Sequence, residues 1–237
     1  MLFSKEIKGN YTIYSLLGIK LKFRNVANNK IFIVDKQGNK KQVKRIKGLN
    51  IDFGGSNSTI ILHSPTLKFT DSKIILKSNS LVEIGTSQYS ANKLVIRSYG
   101  NNQTTKIGDD FSCTMGCSFL FSKEENLCVE VGNNCMCASN VVIRPSDGHT
   151  IYDKDTGNVL NYGKNILIKD NVWLAMYSTI LKGVTIEEGC VIGTGSLVTK
   201  SCNDPHSIYA GVPAKKIKSN ISWDRDAIPD YLEKHNF

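Results

Sequence analysis

A six-residue period constrains this chain more than any other feature. From Ile168, steps of six land on Leu174, Ile180, Ile186, Ile192 and Val198, all aliphatic. Four residues after the first five stops stand Val172, Ser178, Val184, Cys190 and Ser196, all small or β-branched. The spacing recurs earlier through Ile107, Cys113 and Phe119, and again through Val131, Cys137 and Ile143. An α-helix repeats at 3.6 residues and a half-buried strand at two, so neither accounts for it. A period of six with short turns rich in Asn, Asp and Gly reads as a β-helix, each hexapeptide forming one flat side. Three sides close a triangular coil, which sets Ile168 beneath Ile186 and Ser178 beneath Ser196. Coils stack about 4.8 Å apart. Each inward aliphatic then contributes roughly 1.5–3 kcal/mol, but only once neighbouring coils cover it.

Upstream the period decays. Ile74–Leu76, Leu81–Gly85 and Leu94–Ile96 read as short strands within an irregular stretch from about residue 50 to 106. Lys30–Val34 reads as a strand followed by a turn at Lys36–Asn39. Ser122–Asn126 is a charged excursion, and Arg144–Asn165 is a 22-residue departure from the repeat. Loops that long in a solenoid are usually functional or disordered, and this one holds a histidine. Pro205 and Pro213 punctuate the exit from the coils, and Ala227–His235 reads as a short amphipathic helix. The expected organisation is a basic segment at 1–50, a β-helix at 51–219 with a loop insertion at 144–165, and a tail at 220–237.

Composition narrows the partners. The chain carries seven cysteines, an odd number, and no apolar run nears the roughly 18 residues a membrane span requires. The start has no secretion-signal pattern, so a cytoplasmic protein without disulfides is the expectation. Five of the seven cysteines fall on the selected positions of the repeat, which makes them core filler rather than metal ligands. Charge is uneven: residues 1–50 hold twelve Lys or Arg against Glu6 and Asp35, a net of +10. Such a segment steers anionic partners such as an acidic glycan. The plainer reading is a strand edge kept unpaired by lysines. No nucleic-acid-binding motif accompanies the charge.

From about residue 107 to 223 the chain resembles the hexapeptide-repeat acyltransferases, in particular the sugar O-acetyltransferases of the galactoside, maltose, capsule and lipopolysaccharide branches. The residues that carry the resemblance are the Ser146-Asp147-Gly148-His149 loop and Val172-Trp173, the tryptophan 24 residues after the histidine. They continue in the run ILKGVTIEEGCVIGTGSLVTK (Ile180–Lys200) and the exit Tyr209-Ala210-Gly211-Val212-Pro213-Ala214-Lys215. The resemblance implies an all-β, left-handed parallel β-helix and a homotrimer with active sites between subunits. It also implies acetyl-CoA as co-substrate and a sugar or glycan acceptor. Residues 1–100 carry no such likeness.

His149 stands out without the family. Moving an acetyl group from a thioester to a hydroxyl requires a base as attack begins, and imidazole suits that task at neutral pH. His63, His206 and His235 read instead as surface histidines. Asp147 and Asp153 are near enough in sequence to orient the imidazole, but Asp147 also suits a cap on the Asp-Gly turn, and neither is assigned. By resemblance, Trp173 walls the acceptor site beside the histidine; the alternative is a large residue covering a solenoid face. Resemblance also places cofactor contacts at Ala175, Thr194, Thr199 and Lys200, with an oxyanion-binding amide near Ala175. Lys215 and Lys218 fall where relatives bind the CoA phosphates. Met176 departs from the small residue usual there.

The leading expectation is acetyl transfer to a hydroxyl of a glycan, such as a bacterial surface polysaccharide or its precursor. N-acetylation of a nucleotide-linked amino sugar uses the same scaffold. A zinc hydratase needs about three converging histidines, whereas this chain has four in all and one in a repeat-associated loop; no metal is expected. A non-catalytic solenoid leaves His149, Trp173 and the AGVPAK exit without a purpose.

Overall fold

The aliphatic columns read from the sequence stand inside a parallel β-helix, seen in a computed structural model that describes residues 3–8, 11–16, 19–24 and 28–235. Ile168 pairs in register with Ile186, and Ile143, Ile180 and Val198 follow one another up a single column. All five are at most 1% exposed. Three of the sheets among the described residues have eight, eight and seven members and rise by one coil per strand, apart from one antiparallel edge strand in each eight-stranded sheet. These are the three faces of the prism. One coil shows the circuit: Ile166–Ile168 on the first face, Trp173–Leu174 on the second and Thr179–Leu181 on the third. The next coil opens with Thr185–Ile186 back on the first face.

Corners explain why so little chain suffices to turn. Most carry a residue at positive φ, and these stack from coil to coil. Asn57, Asn79, Asn102 and Asn126 occupy one such column with φ between 55° and 61°. Asparagine tolerates this backbone region better than other residues that carry a Cβ. The side chains also bond up the stack, Asn57 to Asn79 at 3.3 Å and Asn102 to Asn126 at 3.2 Å. Downstream corners use glycine: Gly183, Gly189 and Gly195 all have φ near 70°.

The β-helix begins earlier than the expected boundary at 51. Lys30–Val34 pairs in parallel with Thr59–His63, and Leu49–Phe53 with Ser72–Leu76, so residues 30–50 already belong to the coils. Ile31 and Leu49 are buried in the same core as the later columns. The reason is corner length, which hides the period without changing the faces. Ahead of them Phe3–Lys8, Tyr11–Leu16 and Ile19–Arg24 form a separate antiparallel sheet. Lys40–Gln42 closes the first face as an antiparallel edge strand, and all three of its residues are exposed. Lysines in that position guard an open sheet edge.

Cys113, Cys117, Cys135, Cys137 and Cys190 are all buried. Burial pushes the Cys135 thiol up to about 12, so it stays protonated and behaves as a small apolar group. No helix among the described residues is long and apolar enough to cross a membrane.

Candidate active site

Where the third face should hand over to the first, the chain leaves the coil after Val142–Arg144 and returns at Ile166–Ile168. The excursion is an ordered arm. Tyr152 bridges Val159 in antiparallel fashion, and the Asp153 carboxylate caps the tip by accepting from the Thr156 amide at 2.7 Å. Asn161 ties the root: its Nδ2 donates to the His149 carbonyl at 2.8 Å and to Asp147 Oδ2 at 2.9 Å, while its Oδ1 accepts from the Ile151 amide at 2.7 Å. Lys182, one coil above, pairs with the Asp147 carboxylate and donates to the Asn161 carbonyl at 2.8 Å. That ammonium bond, with help from Asn161, holds the Asp147 carboxyl below its usual range. Gly148, at φ +93°, makes the bend that brings His149 out.

His149 is exposed, on the wall of two adjoining clefts. One, of about 400 Å³, is lined by Ser122, Lys123, Glu124 and arm residues Thr150, Val159 and Tyr162. The other, of about 470 Å³, adds Arg97, Tyr99, Phe121, Arg144 and Ser146. Asp147 is committed to Lys182 and Asn161, and Asp153 to its turn, so both carboxylates position the arm and neither bonds the imidazole.

Within one chain the other expected residues lie elsewhere. Trp173 sits on the second face and, within one chain, does not share a cleft with His149. Its ring meets Trp223 of the tail, with centroids 6.0 Å apart and planes at 45°. Its Nε1 is buried with no hydrogen-bond partner among the described residues. The two indoles wall a cleft of about 660 Å³ closed by the C-terminal helix, Ile228–His235. Ala175 and Thr194 stand on the corner between second and third faces, whereas Thr199 and Lys200 follow the third-face strand Leu197–Val198. Lys215 and Lys218 are exposed on the hairpin Ile208–Gly211 and Ala214–Lys218. The Ala175 amide is consumed by the coil ladder, donating to the Ile192 carbonyl at 2.9 Å.

Two features escaped the sequence reading. Arg225 pins the tail to the second face: it donates to Ser112 Oγ at 2.6 Å, to the Asp110 carbonyl at 2.9 Å and to Asn134 Oδ1 at 3.1 Å. It also lies over the Tyr89 ring at 4.2 Å. The second feature is the group of cations around His149, which come from three different coils. The tryptophan beside a charged Asp-Arg-Asp run was the one available signal for the first. Nothing local marked the second.

Comparison with known proteins agrees with this architecture. Residues 165–200 match the family described as bacterial transferase hexapeptide (six repeats). Polysialic acid O-acetyltransferase of Neisseria meningitidis is 33% identical over 193 residues, covering 72% of this chain and 87% of that protein. Galactoside O-acetyltransferase of Escherichia coli K12 is 34% identical over 128 residues, covering 54% of this chain and 59% of that protein. The crystal structure of the polysialic-acid-specific acetyltransferase NeuO superposes with a TM-score of 0.72 at 28% identity, covering 88% of this chain and 95% of that one. The chain therefore belongs to the hexapeptide-repeat transferases, and by class it is an acetyltransferase.

Proposed function

We propose that the protein transfers the acetyl group of acetyl-CoA to a hydroxyl of a glycan, with His149 as general base. The carrying observation is His149 itself, exposed on a braced arm between two clefts, each wide enough for a sugar ring. Relatives named as polysialic acid and galactoside O-acetyltransferases give the acceptor class. In the reaction the imidazole takes the hydroxyl proton as the oxygen attacks the thioester carbonyl. A carbon–oxygen bond forms, the tetrahedral centre collapses and the carbon–sulfur bond breaks. The imidazolium returns its proton to the departing thiolate, so free CoA and an acetyl ester leave.

Acetyl-CoA fits the downstream corners on chemical grounds. Thr194 and Gly195 are exposed and small, and a Cβ on Gly195 would meet nothing within 4 Å, which leaves room for a flat pantetheine arm. Because the Ala175 amide is taken, the oxyanion donor in this reading is the next one. The Met176 N–H has no acceptor among the described residues. Lys215 and Lys218 meet the CoA phosphates as point charges. These groups and the arm occupy different corners of one chain, which is the arrangement expected if each site is completed by an adjacent copy in a homotrimer.

Replacing His149 with alanine tests the reading. Turnover should fall about 10²–10⁴-fold with acetyl-CoA binding and the melting transition unchanged. Near-normal turnover in the folded variant would remove His149 from the chemistry.

A further inference from the structure

The larger of the two clefts at His149 has a chemical bias. Its walls carry Arg97, Lys123 and Arg144 and no acidic side chain. Arg97 extends from the third-face strand Val95–Arg97 and lies over the Tyr99 ring at 5.7 Å. Its Nε is buried with no hydrogen-bond partner among the described residues. Arg144 gives one Nη to the Asp147 carbonyl at 2.8 Å, its side chain's single hydrogen bond to those residues. Glu124 lines only the adjoining cleft, where its Oε2 accepts from the Gly163 amide at 2.6 Å, and Asp147 is paired with Lys182 while also attracting Arg144.

A buried Nε–H without an acceptor costs free energy unless something else supplies one. Arginine's planar fork matches a carboxylate with two parallel hydrogen bonds, and orients it as well as attracting it. We infer that this cleft is a subsite for the carboxylate of an acidic sugar, with Arg97 as its principal reader and Lys123 and Arg144 as supporting charges. The ring bearing that carboxylate is then held by one edge while a hydroxyl on it faces His149. Arg97 is thus a specificity-determining residue. The inference rests on the glycan acceptor reading above and narrows it to acidic glycans.

The probes are an oligosialic acid, a glucuronate oligomer and the carboxyl-reduced form of each, which keeps the ring and removes the charge. Two readouts are taken: direct binding by calorimetry, and initial rates of CoA release. The expected result is that at least one acidic oligomer binds and reacts about ten- to a hundredfold better than its reduced form. In Arg97→Gln that preference collapses through KM for the acidic oligomer, with KM for acetyl-CoA unchanged. Arg97→Lys restores part of it, and Lys123→Gln, an exposed change with little folding risk, reduces it by a smaller factor. Equal binding of acidic and reduced oligomers by the parent protein would overturn the proposal. So would a raised KM for acetyl-CoA in Arg97→Gln, which would assign the cleft to CoA phosphate. A change in oligomer mass without loss of preference would assign Arg97 to a subunit contact. Because binding is read apart from turnover, preferential binding without acetyl transfer would count against the acetylation reading and leave the subsite intact.

Discussion

The coils before the arm and those after it are built to different lengths. Equivalent positions lie 22, 23 and 24 residues apart in the upstream coils, and 18 and then 17 apart after the arm. The faces hardly differ, since most of their strands still present one or two buried side chains inward. The extra residues sit in the corners, where Asn, Ser and Asp bond from coil to coil. Ser58, Ser80 and Gln103 show this inside the wall: the Ser80 amide donates to Ser58 Oγ at 3.0 Å and the Gln103 amide to Ser80 Oγ at 3.3 Å. The prism therefore fixes its faces and leaves its corners free to vary. The recognisable family residues, 165–200, fall in the short coils with the proposed cofactor contacts. Arg97 and Lys123 belong to the long coils. Conserving one end for the shared co-substrate and varying the other for the acceptor is the division that this asymmetry suggests.

That division can be broken or sharpened by paired substitutions. The largest effect in stability should come from the cores. Ile96→Ala in a long coil and Ile180→Ala in a short one each remove a fully buried aliphatic, at a cost of about 2–5 kcal/mol. Denaturant melts should show one shared transition, shifted alike by both. Two separate transitions would mean that the regions are independent cores rather than one stack.

A middle-sized effect distinguishes the ends by function. Changing Lys215 and Lys218 together to Gln should raise KM for acetyl-CoA several-fold at low salt and less at high salt, because exposed charge contacts are screened. Acceptor preference should be untouched. Its loss, with acetyl-CoA affinity unaltered, would erase the proposed separation of cofactor end from acceptor end.

The smallest expected effect tests the corners. Asn102→Ala keeps a Cβ at φ 56° but loses the short polar side chain that tolerates it, and removes the bond to Asn126. A cost of about 1–2 kcal/mol follows, while Asn102→Gly should recover part of it by relieving the backbone. If the glycine variant is no better than alanine, the ladder bond rather than the φ angle holds these corners.

Several features were legible in the chain itself. The columns from Ile168 to Val198, the core placement of five cysteines, the arm at 144–165 and the singular position of His149 all follow from local spacing, because in 18-residue coils stacking partners recur at a constant interval. The start of the β-helix near residue 30 was hidden, since corners of unequal length erase the period while leaving the faces intact. The same reason hid the cleft at His149. Arg97, Lys123 and Arg144 become neighbours only when three coils stack, and no fixed sequence interval announces that. The separation of Trp173 from His149 and the pairing of Trp173 with Trp223 were likewise decided in three dimensions. A motif states which residues belong together, but the faces they occupy depend on where the chain turns. Inward packing is set by composition and period, so the sequence alone determined it. Outward chemistry is set by which corners come to lie side by side, and only the tertiary structure decided that.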